Sequence, residues 1–274
     1  MLRSQVAIVT GGARGIGRQI ATMLAREGAW IMIADILEEE GGKALAEIQA
    51  MGGRGSFHRL DVTDARGVKD LFEEVVREWG RLDILINNAG NTTHPAWCDQ
   101  MSDRDWSSVI DTHIHGSFHC MREAAGIMKK ARYGRIVNFS SVAAVHGFAT
   151  QMNYAAAKFA IVGMTLTAAK ELGPYGITVN ALQPGVIRSD MTAILLQQGE
   201  QVYIDRTPVR RVGETSDVAN AVRFLVSPES GFITGVVMKI DGGFSLVLSP
   251  ENDLGAFAEG YPAFLQQMAQ GGRS

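Results

Sequence analysis

The stretch Thr10-Gly11-Gly12-Ala13-Arg14-Gly15-Ile16-Gly17 decides the fold of this chain. An apolar run, Val6 to Val9, comes directly before it, and Ile20 and Leu24 follow at helical spacing. Glycines let a backbone turn sharply and approach a pyrophosphate, and the free N–H groups at a helix N-terminus favour its negative charge. Because the glycine loop lies between a strand and a helix, it predicts a dinucleotide-binding site.

The rest of the chain alternates short β-branched runs with longer stretches of helical period. Strands are predicted at Val6 to Val9, Ile31 to Ala34, Leu82 to Ile86, Arg135 to Phe139, Thr178 to Leu182 and Val236 to Ile240. Apolar residues at three- and four-residue steps predict a helix over residues 66–79. The alternation indicates an α/β fold: a single-domain, Rossmann-type, doubly wound parallel sheet with helices on both faces.

Length and composition favour one domain rather than two. The chain has 274 residues, 46% of them hydrophobic and 20% charged, which is enough to bury one large core. We assign residues 1–243 to the dinucleotide-binding domain, with a substrate lid at about residues 190–210. Residues 244–274 carry several glycines and prolines and form a C-terminal extension, either a loosely held terminus or a cover over a neighbouring surface.

Charge and targeting signals narrow the surroundings in which the protein works. A net charge of -3 and a pI near 6.1 argue against a nucleic acid or an anionic membrane as a partner. We find no signal-peptide pattern and no apolar stretch of bilayer length. The two cysteines, Cys98 and Cys120, lie outside any zinc-binding spacing. We therefore expect a cytoplasmic protein with reduced thiols and a small-molecule substrate.

Asp35 follows the second predicted strand, twenty-four residues after Gly11. A carboxylate at this point accepts hydrogen bonds from both hydroxyls of an adenosine ribose, and its charge repels the 2′-phosphate of NADP. The expected cofactor is therefore NAD. Arg14, inside the glycine loop, is the opposing observation, because a guanidinium can pair with a 2′-phosphate. The alternative for Arg14 is a solvated loop side chain.

Tyr154 and Lys158 are four residues apart, which places a phenol and an ammonium one helical turn apart on the same face. A tyrosine pKa of about 10 must fall by roughly three units to act near neutrality, a shift of about 4 kcal/mol. One ammonium in contact supplies about that much at an effective dielectric near 20. The pair predicts an acid/base centre that takes a proton from an alcohol as hydride leaves, or returns it to a reduced ketone.

Ser141 lies thirteen residues before Tyr154, just after the predicted strand that ends at Phe139. Ligands bind at the carboxyl ends of the strands in open α/β sheets, so a hydroxyl here is placed to hold a substrate oxygen beside the phenol. Ser140 is the competing choice.

Taken together, these motifs resemble those of the short-chain dehydrogenase/reductase family over residues 1 to about 243. The nucleotide half carries the resemblance through the glycine loop, Asp35, Asp61-Val62 and Asn87-Asn88-Ala89-Gly90. The second half carries it through Ser141, Tyr154, Lys158 and Pro184-Gly185-Val186-Ile187. Several motifs in the correct order and spacing make chance an unreasonable explanation.

The resemblance implies a role for each of these positions. Lys158 would bond the nicotinamide ribose, the backbone of Ile187 would hold the carboxamide, and Ser189 stands where a threonine is commonest. Asp61 and Val62 would lie against the adenine. The implied cofactor contacts are Gly11, Arg14, Gly15, Ile16, Gly17, Asp35, Asp61, Val62, Asn88, Ala89, Gly90, Tyr154, Lys158, Pro184, Gly185, Ile187 and Ser189. The family also implies a homotetramer and a reaction without a metal.

One departure from the family pattern falls at His113, where the family usually has an asparagine in a water relay to the lysine. An imidazole also donates, accepts and passes protons, so we expect a retained relay with an altered pH dependence. The alternative is a packing histidine outside the chemistry. His115 and His119, one helical turn apart and beside Cys120, invite a metal interpretation, but no third ligand has a convincing spacing.

The substrate class rests on resemblance alone. Residues 112–118, 128–130 and 133–136 resemble the dehydrogenase module of multifunctional β-oxidation enzymes, and other parts resemble 3-oxoacyl-carrier-protein reductases. Both favour an NAD(H)-dependent oxidoreductase acting on a secondary alcohol or ketone within a 3-oxo or 3-hydroxy acyl thioester. Polyols, cyclic alcohols and steroids are alternatives on the same scaffold. A dinucleotide-sensing or scaffold protein without turnover is the alternative from another class.

Overall fold

The computed structural model describes residues 2–246 of the chain. Its strands are β1 (Val6–Thr10), β2 (Trp30–Asp35), β3 (Arg54–Arg59), β4 (Ile84–Asn87), β5 (Gly134–Phe139), β6 (Ile177–Pro184) and β7 (Val237–Ile240). All of these strands run parallel in one sheet, in the order β3-β2-β1-β4-β5-β6-β7. The strand order reverses beside β1, so the sheet is doubly wound and the predicted Rossmann-type fold is confirmed.

Helices cover both faces of this sheet. The α-helices of the described region are α1 (Gly15–Arg26), α2 (Glu38–Ala50), α3 (Ala65–Trp79), α4 (Asp103–Ile110), α5 (Gly116–Ala131), α6 (Ala143–His146), α7 (Met152–Leu172), α8 (Ala193–Arg206) and α9 (Thr215–Val226). One π-helical turn, Asp111–His115, joins α4 to α5. The apolar side chains of α1, α2 and α9 pack on one face, and those of α3, α5 and α7 pack on the other. Within residues 2–246, no helix has the length and apolar character to cross a membrane.

The helix predicted over residues 66–79 is α3, and its ends have identifiable causes. Asp64 caps its start by accepting a hydrogen bond from the Arg66 N–H at 3.0 Å. Gly80 ends it with a φ of 74°, a left-handed conformation that glycine adopts without a Cβ penalty. Its buried face consists of Val68, Leu71, Phe72 and Val75.

Six of the strands were predicted, with shifts of at most two residues at their ends, and β3 was missed. Its sequence, Arg-Gly-Ser-Phe-His-Arg, lacks the apolar run of the other strands, and the side chains at both ends are exposed. β3 pairs only with β2 and forms an edge of the sheet. An edge strand that faces solvent does not need a continuous apolar sequence, which is why the apolar pattern did not reveal it.

A buried chain of polar groups fixes the helix α7 against the sheet. Asn138 on β5 accepts a hydrogen bond from the Asn87 side chain of β4 at 2.8 Å. The Asn138 amide nitrogen donates to the Thr165 hydroxyl of α7 at 2.9 Å. That hydroxyl in turn donates to the Ile161 carbonyl at 2.8 Å. Because buried polar groups are costly when unpaired, this chain defines one position of α7 on the sheet.

Candidate active site

The glycine loop joins β1 to α1 at the carboxyl ends of the strands. Gly11 and Gly15 have φ values of 64° and 54°, which L side chains rarely adopt. A Cβ at Gly17 would collide with the Gly11 carbonyl oxygen. α1 has no side-chain N-cap and no acidic residue in its first turn, so its first N–H groups stay available to an anionic ligand. The loop therefore fits a pyrophosphate.

Asn88 joins the end of β4 to this loop. Its side-chain nitrogen donates to the Thr10 and Gly11 carbonyl oxygens at 3.0 and 2.9 Å. The Thr10 hydroxyl accepts hydrogen bonds from the backbone N–H groups of Asn88 and Ala89, both at 3.1 Å. These bonds hold residues 88–90 against the glycine loop, so the two halves of the cleft have a fixed relative position.

Asp35, which the sequence predicts to bind the adenosine ribose, lines a cavity beside the glycine loop. Its carboxylate accepts hydrogen bonds from the backbone N–H groups of Ala13 at 3.0 Å and Leu37 at 3.1 Å. Asp61 and Asp111 line the same cavity, together with Val62, Ala89 and Gly90. Carboxylates of this kind can accept hydrogen bonds from ribose hydroxyls, and their negative charge opposes an added phosphate. Arg14 is exposed and lines the neighbouring pyrophosphate cavity.

Ser141, Tyr154, Lys158 and His113 line one further cavity of the same cleft. The Ser141 hydroxyl is hydrogen-bonded to the Tyr154 phenol; burial raises the pKa of Tyr154, and this hydrogen bond offsets part of the rise. The Ser141 hydroxyl also accepts a hydrogen bond from the Ala143 N–H at 3.1 Å. The Ser140 hydroxyl instead donates to the backbone carbonyl of Lys158 at 2.8 Å. Of the two serines considered from the sequence, Ser141 is therefore the one beside the phenol.

The electrostatics of Tyr154 and Lys158 differ from those expected from the sequence. Lys158 Nζ donates to the Phe139 carbonyl at 2.7 Å and lies 5.4 Å from the Tyr154 ring centroid. Burial lowers the pKa of Lys158 to about 7, and burial raises the pKa of Tyr154. Lys158 was expected to bring the Tyr154 pKa toward neutrality. Lys158 does not lower the Tyr154 pKa in this way, because its ammonium is itself desolvated and only partly charged at pH 7.

His113 is buried in the π-helical turn, with 2% of its surface exposed. Its Nε2 lies 2.9 Å from the Asn91 carbonyl oxygen and 3.3 Å from the Asn91 nitrogen. A Cβ at Gly90 would collide with the imidazole, so the glycine makes room for this ring. Burial, and next the Lys158 charge, lower the pKa of His113 to about 3. The imidazole is therefore neutral above pH 5. Its titration does not alter the pH dependence of a reaction near neutrality, contrary to the expectation from the sequence.

The residues expected at the nicotinamide end lie in the same cavity. Pro184, Gly185, Ile187 and Ser189 all line it. The Ser189 N–H donates to the Thr192 hydroxyl at 3.1 Å, and that hydroxyl donates to the Ile187 carbonyl. Thr192 was missed from the sequence. Its hydroxyl braces the turn that follows Ile187.

The predicted lid at about residues 190–210 consists of a 3-10 turn, Asp190–Thr192, followed by α8. The Arg188 guanidinium bonds both carboxylate oxygens of Glu200, at 2.6 and 3.2 Å, and so ties α8 to the segment after β6. Tyr203 on α8 lies 6.5 Å from Phe244, measured between ring centroids. Only residues 244–246 of the predicted extension are described; the rest lies outside the described residues.

The histidines that invited a metal interpretation have other partners. His115 Nδ1 lies 3.0 Å from an Asp111 carboxylate oxygen, and His119 Nδ1 lies 3.1 Å from the Val62 carbonyl oxygen. Cys120 is buried, which raises its thiol pKa to about 12. Residues 2–246 contain no group of three side chains placed to hold a metal ion.

A glycine loop beside a Ser-Tyr-Lys cluster, at the carboxyl ends of a doubly wound sheet, defines a dinucleotide-binding oxidoreductase. A family model described as Enoyl-(Acyl carrier protein) reductase matches residues 11–245. The 3-oxoacyl-[acyl-carrier-protein] reductase FabG of Thermotoga maritima is 39% identical over 242 residues, which are 88% of this chain and 98% of that protein. The chain belongs to the short-chain dehydrogenase/reductase family.

Solved structures of the family agree in fold and differ in cofactor. An NAD+-bound xylitol dehydrogenase is 33% identical with a TM-score of 0.84, covering 88% of this chain and 99% of that one. A tyrosine-to-phenylalanine variant of ElxO with NADPH bound is 32% identical with a TM-score of 0.83, covering 88% and 98%. Membership of this family therefore means that the cofactor is a nicotinamide dinucleotide. The choice between NAD and NADP depends on residues of this chain.

Proposed function

We propose that this chain is an NAD(H)-dependent enzyme that interconverts a 3-oxo and a 3-hydroxy acyl thioester. The observation that carries the proposal is the cavity shared by Ser141, Tyr154 and Lys158, which opens beside the glycine loop. The similarity to proteins named as 3-oxoacyl-[acyl-carrier-protein] reductases supports the thioester class. Met191 lines this cavity, and exposed apolar side chains follow Ser141 or precede Tyr154 closely in the chain, which offers a surface for an acyl chain: Val145, Phe148 and Met152.

The chain's residues fit a nicotinamide dinucleotide. The first N–H groups of α1 would hold the pyrophosphate, Lys158 the nicotinamide ribose and the Ile187 backbone the carboxamide. Asp35 would accept hydrogen bonds from the adenosine ribose, and its charge favours NAD over NADP. When bound, the dinucleotide supplies or accepts the hydride at the substrate carbon.

The protein groups handle the oxygen of the substrate. Ser141 donates a hydrogen bond to the ketone oxygen and orients it. In the reductive direction Tyr154 transfers its phenolic proton to that oxygen as the C–H bond forms, which leaves an alcohol and a phenolate. In oxidation the same proton returns to the phenolate. In the oxidative direction a bound, positively charged nicotinamide would oppose the rise in the phenol pKa that burial causes.

The phenolate regains its proton from Lys158, and Lys158 takes a proton in turn from water in the cleft. The pKa of Lys158, about 7, suits a group that both gives and takes a proton near neutrality. The Asn91 carbonyl oxygen can only accept, so its 2.9 Å contact with His113 Nε2, shorter than the 3.3 Å contact with the Asn91 N–H, assigns the ring proton to Nε2 and leaves Nδ1 as the acceptor in the neutral ring. We assign His113 to the relay position of the family as a hydrogen-bond acceptor that would orient the water beside Lys158, while the imidazole itself stays neutral.

A homotetramer is the assembly that the family resemblance favours. Phe118 on α5 and Phe159 and Leu166 on α7 are exposed apolar side chains on the outer faces of these helices, which supports burial against another subunit. The molar mass in solution tests this: four chains of 29.6 kDa are expected.

The decisive experiment follows nicotinamide absorbance with purified protein. NADH and NADPH are tested with 3-oxoacyl thioesters, polyol-derived ketones and cyclic ketones. We expect the highest kcat/KM with NADH and a 3-oxoacyl thioester. Tyr154→Phe should abolish turnover while retaining NADH binding, and Tyr175→Phe, outside the cleft, is the matched control. Tight NADH binding without turnover on any substrate would contradict the proposal and favour a sensing role.

A further inference from the structure

Asn153, the residue before Tyr154, is bonded to three separate parts of the fold. Its Oδ1 accepts a hydrogen bond from the Tyr154 N–H at 2.8 Å. Its Nδ2 donates to the Thr93 hydroxyl and to the Asp105 carbonyl, both at 3.0 Å. The residue is 2% exposed. A reversed amide would set its NH2 against the Tyr154 N–H, so the partners fix one orientation.

Thr93 belongs to residues 91–101, which run from the cleft beyond β4 toward α4 without a helix or a strand. This segment has further attachments besides Asn153. The Asn91 side chain donates to the Ser108 hydroxyl at 2.9 Å, and the Ala96 N–H donates to the Thr150 carbonyl at 3.0 Å. Residues 91–101 are therefore held against the start of α7 by a side chain that is itself next to the catalytic tyrosine.

The segment also borders the site. Asn91 lines the cofactor cavity and contacts His113 through its backbone, and Trp97, further along, is 60% exposed. An irregular segment of this kind has a conformation defined by its few attachments. A shift of about 1 Å at a reacting group can cost on the order of 100-fold in rate. The attachment of residues 91–101 to α7 therefore affects how a substrate is positioned relative to Tyr154.

We propose that Asn153 is a positioning residue that fixes residues 91–101 relative to Tyr154, and that this segment is a wall of the substrate site. The inference rests on the proposed function, because the wall aligns a ketone with the phenol. Asn153 acts through its two donated hydrogen bonds, while its Oδ1 satisfies one of the free N–H groups at the start of α7.

The first arm of the test changes Thr93, which is only partly buried and lies outside the catalytic groups. Thr93→Val removes one acceptor and leaves a buried Asn153 N–H unpaired, whereas Thr93→Ser keeps the hydroxyl. We expect Thr93→Val to lower kcat/KM for the ketone roughly fivefold to tenfold, mainly through KM, as the loss of one hydrogen bond implies. The NADH Kd and the pH profile should not change, and Thr93→Ser should restore the KM. Equal kinetics of the two variants would overturn the proposal.

The second arm needs no substrate. Amide hydrogen exchange in peptides covering residues 91–101 should be roughly tenfold faster in Thr93→Val than in Thr93→Ser, while α3 exchanges equally in both. Unchanged exchange in residues 91–101 would overturn the anchoring role. A wild-type enzyme without turnover on any ketone would contradict the proposed function instead, and the exchange result would still decide whether Asn153 anchors this segment.

Discussion

The imidazole of His113 and the phenol ring of Tyr154 meet edge to face, with their centroids 5.5 Å apart and their planes at 85°. His113 comes from the π-helical turn between α4 and α5, and Tyr154 from the first turn of α7. Gly90 leaves the space in which the imidazole lies. Single π-helical turns inside α-helices are frequent at functional sites, and this one turns a histidine toward the acid/base residue.

His113 should affect the rate without adding an ionisation. Its pKa of about 3 keeps the ring neutral between pH 5 and 9. We expect His113→Ala to lower kcat roughly tenfold to 100-fold, as the loss of an assisted proton transfer implies, with the same inflections in the pH profile. His113→Asn, which keeps a donor and an acceptor, should recover most of the rate. Wild-type kcat in the alanine variant would leave His113 as a packing residue.

Lys158 should destabilise the cofactor-free fold in a pH-dependent way. Its folded pKa, about 7, lies below the ordinary value of 10.5, so burial of the charged form penalises folding fully below pH 7. The penalty fades as the pH rises from 7 to 10.5. Lys158→Met should therefore stabilise the protein most at pH 6.5, and the difference in unfolding free energy should shrink by about 2 to 3 kcal/mol at pH 9.

Urea unfolding at the two pH values measures this difference, and Lys43→Met is the control. Lys43 is exposed on α2, where the loss of its charge removes no buried group. A stability difference for Lys158→Met that is the same at pH 6.5 and pH 9 would show that Lys158 is not desolvated in the folded protein.

Asp35 should determine the cofactor. Asp35→Ser removes the acceptor for the ribose hydroxyls and the charge that opposes a 2′-phosphate. We expect the ratio of Kd for NADPH to Kd for NADH to fall at least roughly tenfold, the equivalent of about 1.4 kcal/mol. Asp61→Asn is a useful comparison, because Asp61 lines the same cavity while its carboxylate is engaged with the Thr63 N–H at 2.9 Å. A ratio unchanged by Asp35→Ser would show that Asp35 does not determine the choice between NADH and NADPH.

Gly17 should tolerate no side chain. A Cβ there meets the Gly11 carbonyl oxygen, so Gly17→Ala must displace the glycine loop and weaken NADH binding. The matched control is Gly42→Ala on α2, where an added Cβ meets nothing within 4 Å. Gly42→Ala should stabilise the protein by about 0.5 to 1 kcal/mol through helix propensity. Isothermal titration with NADH and thermal unfolding compare the two, and equal NADH affinity in both would contradict the steric argument.

The sheet was predictable because its strands are apolar on both faces, and such strands read as continuous runs of β-branched residues. The glycine loop and the Tyr154-Lys158 pair were also predictable, because each depends on residues close together in the chain. β3 was not, since an edge strand in contact with solvent has no such run. The choice between Ser140 and Ser141 needed the turn after β5, which sends the two hydroxyls to different partners.

Other features of the site depend on contacts between distant residues. Asn153 bonds Thr93 and Asp105, which lie 60 and 48 residues away along the chain. Nothing in the local sequence indicates such partners. The Tyr154 pKa was likewise misjudged, because a spacing of four residues gives the distance between a phenol and an ammonium but not the desolvation that both experience on burial.

The packing of α1 against α9 has a consequence for how the chain is made. The apolar side chains of α1, Ile20 and Leu24, are covered by Val218, Val222 and Leu225 of α9, almost 200 residues later. A nascent chain that has completed the glycine loop still presents this apolar stripe to solvent until α9 leaves the ribosome. The nucleotide-binding half is therefore synthesised first, but the apolar side chains of α1 are buried only when α9 packs on them. A chain truncated before residue 215 would be prone to aggregate.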